Sequence, residues 1–155
     1  MTRSIVTYGA ILAIGAVVWA SRATAASDPC TLLTPAQVSA ALGGTVGAGK
    51  PVAGTCHWSQ DGKAGAELLK LDVNIVTLDR YNRMKSVTVG TVSAVSGLGD
   101  DAYYSTLQQG RTTLTTLNIK KGSTAVVIRV SGGTKAAAEY QAKEKAVAQA
   151  LVPKL

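Results

Sequence analysis

The chain has 155 residues, with 16 Lys and Arg against 9 Asp and Glu, one His, two Cys and no Phe. A single histidine and two cysteines make a zinc centre of three or four His, Cys or carboxylate ligands unexpected. The basic residues are scattered rather than massed, and without interleaved aromatics they do not read as a nucleic-acid surface. They read instead as a solvated basic exterior that favours anionic envelope polymers or lipid headgroups.

Residues 1–25 have the plan of a secretory signal peptide. Arg3 supplies the positive start, Ser4 to Ser21 carries no charge, and Ala23-Thr24-Ala25 is a small-x-small cleavage site before the polar Ser27-Asp28. An uncleaved anchor is the competing reading, because about 18 uncharged residues just reach across a bilayer. The cleavage site, and the Gly and Thr that dilute the apolar run, favour removal; membrane attachment is then expected only through this segment, if it is retained. Residues 26–155 are left as one globular domain. Cys30 follows Asp28-Pro29, which is not a lipidation context. In an oxidising compartment the two cysteines have one pairing, Cys30 with Cys56, and their distance in sequence favours a structural staple over a redox pair. The expected location is periplasmic or secreted.

Thr34-Pro35 predicts the start of a helix, with Thr as N-cap and Pro at the first position, Val38, Ala41 and Leu42 on one face, and Gly43-Gly44 as the stop. Thr45 to Lys50 is a glycine-rich loop without the Lys-Ser/Thr of a phosphate cradle. Val52 to Ser59 predicts a strand carrying Cys56 and Trp58, followed by a turn at Gln60-Asp61-Gly62. Leu69, Leu71, Val73 and Ile75 alternate with Lys70, Asp72 and Asn74, the pattern of a strand with one buried and one wet face. Thr77 caps a short helix with Leu78, Tyr81 and Met84 inward. Val87 to Val95 suits either a strand or an extended loop. Three hairpin strands follow: Ala102 to Leu107, Thr112 to Ile119 and Thr124 to Val130. The run Ala125-Val126-Val127-Ile128 implies a central strand covered on both faces. Gly132-Gly133 breaks the chain, and Thr134 is expected to cap a helix reaching about Val152, with Ala137, Tyr140, Val147 and Leu151 inward. The order predicts an α+β fold, an antiparallel sheet covered by helices.

Catalytic chemistry is thinly supplied. Alternation places His57 on the face opposite Cys56 and Trp58, toward solvent, so a Ser-His-acid arrangement is not expected. Asp100-Asp101, in the turn Gly97-Leu98-Gly99-Asp100-Asp101, is the best carboxylate candidate, yet lacks the alternating oxygen ligands of a calcium loop. Asp61, Glu67, Asp72 and Asp79 fall on turns or wet strand faces, and nothing brings two together as a glycosidase needs. Trp58, Tyr103 and Tyr104 are core candidates that also suit a ligand pocket. Trp58, Asp100, Asp101, Tyr103 and Tyr104 are therefore the candidate ligand-binding residues, with no catalytic residue, metal or cofactor expected.

Asp28-Pro29-Cys30-Thr31-Leu32-Leu33-Thr34, the following Val38 to Gly43, Cys56-His57-Trp58 and Gly97-Leu98-Gly99-Asp100-Asp101-Ala102-Tyr103 together resemble a bacterial family of small exported proteins and lipoproteins. That family has an Asp-x-Cys-x-Leu-Leu-Thr start, a later Cys-x-Trp and a Gly-Leu-Gly-Asp-x-Ala-aromatic turn. The chain departs from it in having Gln37 where an acid is common, and in having no lipobox. The resemblance implies a Mog1/PsbP-like α-β-α sandwich and brings no catalytic residues. The expected function is a non-catalytic binding or accessory module of the envelope, with a protein or an anionic envelope ligand as partner. The alternatives are a small envelope hydrolase using Asp100 or Asp101, or an inhibitor of a secreted enzyme.

Overall fold

The computed structural model describes residues 28–62 and 68–155; the expected export segment, its cleavage site and Glu67 lie outside the described residues. A 3₁₀ turn at Pro29–Thr31 leads into α1, Pro35–Leu42. Its start is closed reciprocally: the Thr34 hydroxyl accepts from the Gln37 N–H, and the Gln37 carbonyl oxygen accepts from the Thr34 N–H. This is a capping box with glutamine in place of the commoner acid. Gly43, at φ 76°, ends the helix in the left-handed conformation that suits glycine.

The single strand expected over Val52–Ser59 is instead two, β1 at Lys50–Val52 and β2 at Thr55–Ser59, joined by a two-residue turn. Ala53 and Gly54 both have positive φ there, 48° and 78°, as a hairpin turn that matches strand twist requires. Alanine gave no turn signal, which hid the hairpin. An L-residue other than Asn or Gly is strained in that conformation, so Ala53→Asn is expected to raise stability by about 0.5–1 kcal/mol. A higher urea midpoint with an unchanged slope checks it.

Beyond lie β3 (Lys70–Val76), α2 (Leu78–Val87), β4 (Thr91–Ala94), β5 (Asp101–Gln109), β6 (Thr112–Lys121), β7 (Thr124–Ser131) and α3 (Ala137–Leu151). The strands form one seven-stranded sheet in the order β1-β2-β3-β7-β6-β5-β4, antiparallel throughout. The fold is α+β with a Cys30–Cys56 disulfide. Val87 to Val95 resolves into a loop followed by the edge strand β4, all of whose residues are exposed. An edge strand wet on both faces has no burial alternation to betray it.

The main core lies between the sheet and the layer formed by α1 and α3. Leu71, Val73, Val126, Ile128, Leu117 and Ile119 from the strands meet Val38, Leu42, Tyr140, Val147 and Leu151 from the helices. The disulfide and Trp58 close one end of this core. Gly49 lies so near that a Cβ there would stand 2.6 Å from Trp58 Cε2, leaving no room for a side chain. Three lysines bind helix ends and turns together through carbonyl oxygens: Lys143 reaches Leu42, Lys121 reaches Val152 and Lys154 reaches Leu32. These cations are tethers rather than free surface charge.

The start of α3 corrects the expected Thr134 cap. Its N-cap is Ala136, without a side-chain hydrogen bond. The Tyr140 hydroxyl is placed within 3.0 Å of the Gly132 and Gly133 carbonyl oxygens and accepts from the Lys135 N–H, so a tyrosine one turn inside the helix organises its entry. Among the described residues no helix is long and apolar enough to cross a membrane.

Candidate functional site

The two faces of the sheet differ. α1 and α3 cover one; on the other, α2 packs only over the end where Val76, Ala125 and Tyr103 form a small second core with Tyr81. Among the described residues no other helix covers that face. Register brings residues from all seven strands into a row across it: Lys50, His57, Asp72, Arg129, Thr116, Ser105 and Val92. The neighbouring row runs Thr55, Asn74, Val127, Asn118, Tyr103 and Ala94.

Where α2 overhangs these rows there is a cavity of about 310 Å³. Asn74, Tyr103, Asn118, Thr116 and Arg129 form its strand side; Arg80, Met84 and Val87 close it from α2. A second cavity of about 240 Å³ adjoins it, sharing Thr88, Ser105, Thr116 and Arg129 and continuing past Val89 to Leu107 and Leu114. Together they make a groove of metabolite size. Its rim carries Val87 and Val89, at 69% and 76% exposure among the most exposed large apolar residues described.

Two positive charges line the groove, Arg80 and Arg129, and no carboxylate of the described residues does. Asp72, opposite Arg129 in the ladder, has its Oδ1 2.6 Å from His57 Nδ1. Arg129 Nε donates to the Thr116 hydroxyl at 3.4 Å. Tyr103 is buried, lines the cavity, and its hydroxyl has no hydrogen-bond partner among the described residues. A buried, unmet hydroxyl costs free energy comparable to a lost hydrogen bond. Burial, and then the nearby Asp101 carboxylate, push the Tyr103 hydroxyl pKa up, so it is a neutral donor at physiological pH.

The residues singled out from the sequence do not converge. Trp58 and Tyr104 point into the core under α1 and α3, and the Tyr104 hydroxyl donates to the Gln141 carbonyl oxygen at 2.8 Å. Tyr103, next in sequence, points to the opposite face, so only one of the three aromatics lines the groove. Asp100 Oδ2 accepts from the Gly122 N–H at 2.7 Å and ties two turns together. Asp101 Oδ2 accepts from the Tyr81 hydroxyl at 2.9 Å and from Lys85 at 2.7 Å; the lysine bond chiefly holds this carboxyl pKa below its usual value. Both acids are engaged by protein partners. His57 does lie opposite Cys56 and Trp58, half-buried against Asp72 rather than free in solvent.

Two features escaped the sequence reading. The groove arises from strand register and could not be read from any one segment. Glu144 is fully buried between α3 and the sheet, where its Oε1 accepts from the Thr115 hydroxyl at 3.0 Å and the Val130 N–H at 3.1 Å. Its signal was present: an acid four residues after Tyr140 and three before Val147, inside the apolar stripe of α3.

Among the described residues no group of three or more His, Cys, Asp or Glu is placed to hold a metal ion. No family model, curated protein or solved structure matches the chain.

Proposed function

We propose that this chain is an exported, non-catalytic binding or accessory module of the cell envelope, periplasmic or secreted, whose ligand sits in the groove between α2 and the open sheet face. The carrying observation is the cavity of about 310 Å³ that combines two arginines, no described carboxylate and the unpartnered Tyr103 hydroxyl. The Cys30–Cys56 disulfide is consistent with an oxidising, extracytoplasmic location. Helices on both faces of an antiparallel sheet suit the Mog1/PsbP-like kinship that the sequence motifs imply. The engagement of Asp100 and Asp101 in turn and helix contacts argues against their use as hydrolytic groups.

Native mass spectrometry tests the reading on the chain recovered from the exporting cell. The wild type is expected to carry one small molecule, and Val127→Phe, whose ring enters the cavity, to emerge bare while keeping its fold. Bare masses for both, together with ester or cell-wall turnover abolished by Asp100→Asn and Asp101→Asn, would put the hydrolase reading in its place.

A further inference from the structure

We propose that the groove takes a single-chain anionic amphiphile, its carboxylate-type head between Arg80 and Arg129 and its aliphatic tail running toward Leu107 and Leu114. This rests on the binding reading above and adds the ligand's chemical class.

The groove carries its second guanidinium at one end only, while aliphatic side chains line all of it. The inner cavity sets Arg80, Arg129, Asn74, Asn118 and Tyr103 beside the apolar Val76, Met84, Val87 and Val127. The outer cavity adds only apolar residues to the four it shares: Val89, Leu107 and Leu114. Arg129 lines both and so marks the junction. A ligand filling both meets two arginines in the inner cavity and only Arg129 in the outer one, with aliphatic side chains along both. This suits an anionic head at the inner end and an aliphatic tail toward Leu107 and Leu114.

Charge fixes the sign of the polar end. Arg80 and Arg129 line the inner cavity, and among the described residues Asp72 is bound to His57 and Asp101 to Tyr81 and Lys85. A cationic head would meet like charge; an anionic head gains charge-assisted hydrogen bonds in the planar fork that arginine presents to carboxylates and phosphates. Tyr103, whose hydroxyl has no partner among the described residues, lines the same cavity as a neutral side chain. The exposed Val87 and Val89 at the mouth are explained as cover for the part of the tail that leaves the groove.

Isothermal titration calorimetry of the oxidised chain with decanoate, decanol and decyltrimethylammonium tests the proposal, with phosphatidylglycerol vesicles as a separate arm. Decanoate is expected to bind one-to-one and saturably, at least about tenfold more tightly than decanol, with no binding of the ammonium. Arg129→Gln and Arg80→Gln, both at exposed positions, are expected each to weaken decanoate about tenfold without weakening decanol. Decanol binding as well as decanoate, with the arginine variants unaffected, would overturn the anionic class while leaving a ligand groove in place. Vesicle binding without decanoate binding would overturn the proposal in favour of a membrane surface. If no probe binds while the recovered chain still carries a small molecule, the amphiphile is wrong and the binding reading stands.

Discussion

Replacing Cys30 and Cys56 together by alanine is expected to cost about 3.5 kcal/mol of stability on the chain-entropy account of a crosslink closing a loop of this size. The two residues are 26 apart in sequence, with Cα atoms 5.1 Å apart. The bond joins the 3₁₀ turn before α1 to β2, so its loss frees the whole entry to the first helix. Packing adds to the entropic effect. Cys56 is fully buried, and Gly49 is pressed against both its sulfur and the Trp58 ring, so the bond braces the end of the core where the indole N–H has no partner among the described residues. Urea denaturation reads the loss, and the wild type under reductant should fall to nearly the same midpoint. A difference below about 1 kcal/mol would show that packing alone holds this end together.

Stability is also expected to fall by about 3 kcal/mol as pH rises from 4.5 to above 7, because of Glu144. Burial pushes this carboxyl from its ordinary 4.5 up to about 7, against the smaller opposing pull of the Val130 N–H, the Thr115 hydroxyl and the Arg129 charge. The sign follows from proton counting. Below pH 4.5 the acid is protonated in both folded and unfolded chains, and nothing is lost. Between 4.5 and about 7 the folded chain keeps a proton that the unfolded chain has released, so each rise in pH favours unfolding. Above 7 both are ionised and the full cost of a buried charge is present. The neighbouring Tyr104 hydroxyl is pushed up to about 12, by burial first and then by Glu144, and does not titrate in this window. Oε2 has no partner among the described residues, as suits a neutral acid. Glu144→Gln keeps the shape and the two bonds to Oε1 without the charge. It is expected to flatten the dependence and to exceed the wild type in stability at pH 8. Parallel pH profiles for both chains would contradict the assignment.

Local chemistry was legible wherever one segment carried its own rule. The capping of α1, the alternation of β3, the hairpins of β5 to β7 and the cysteine pairing each follow from residues close in sequence, or from a count of two. Misreadings arose where a rule was carried by an unusual residue. Ala53 occupies a turn position that Asn or Gly usually fills, and Tyr140 organises a helix start that Thr134 was expected to cap. The groove was illegible for a different reason. Arg80, Tyr103, Asn118 and Arg129 come from one helix and three strands, and only the order β3-β7-β6-β5 puts them around one space. Tyr103 and Tyr104 were candidates for the same pocket, but strand alternation sends them to opposite faces, one to the groove and one to the core.

The central claim is that function belongs to the open face of the sheet and not to the face sealed by α1, α3 and the disulfide. Side-chain NMR of the oxidised chain during a decanoate titration separates the two faces directly. The account predicts that the carboxamide signals of Asn74 and Asn118 and the Met84 methyl shift and saturate together, while the Trp58 indole N–H stays where it is. Movement of the Trp58 signal with Asn74, Asn118 and Met84 unmoved would contradict it.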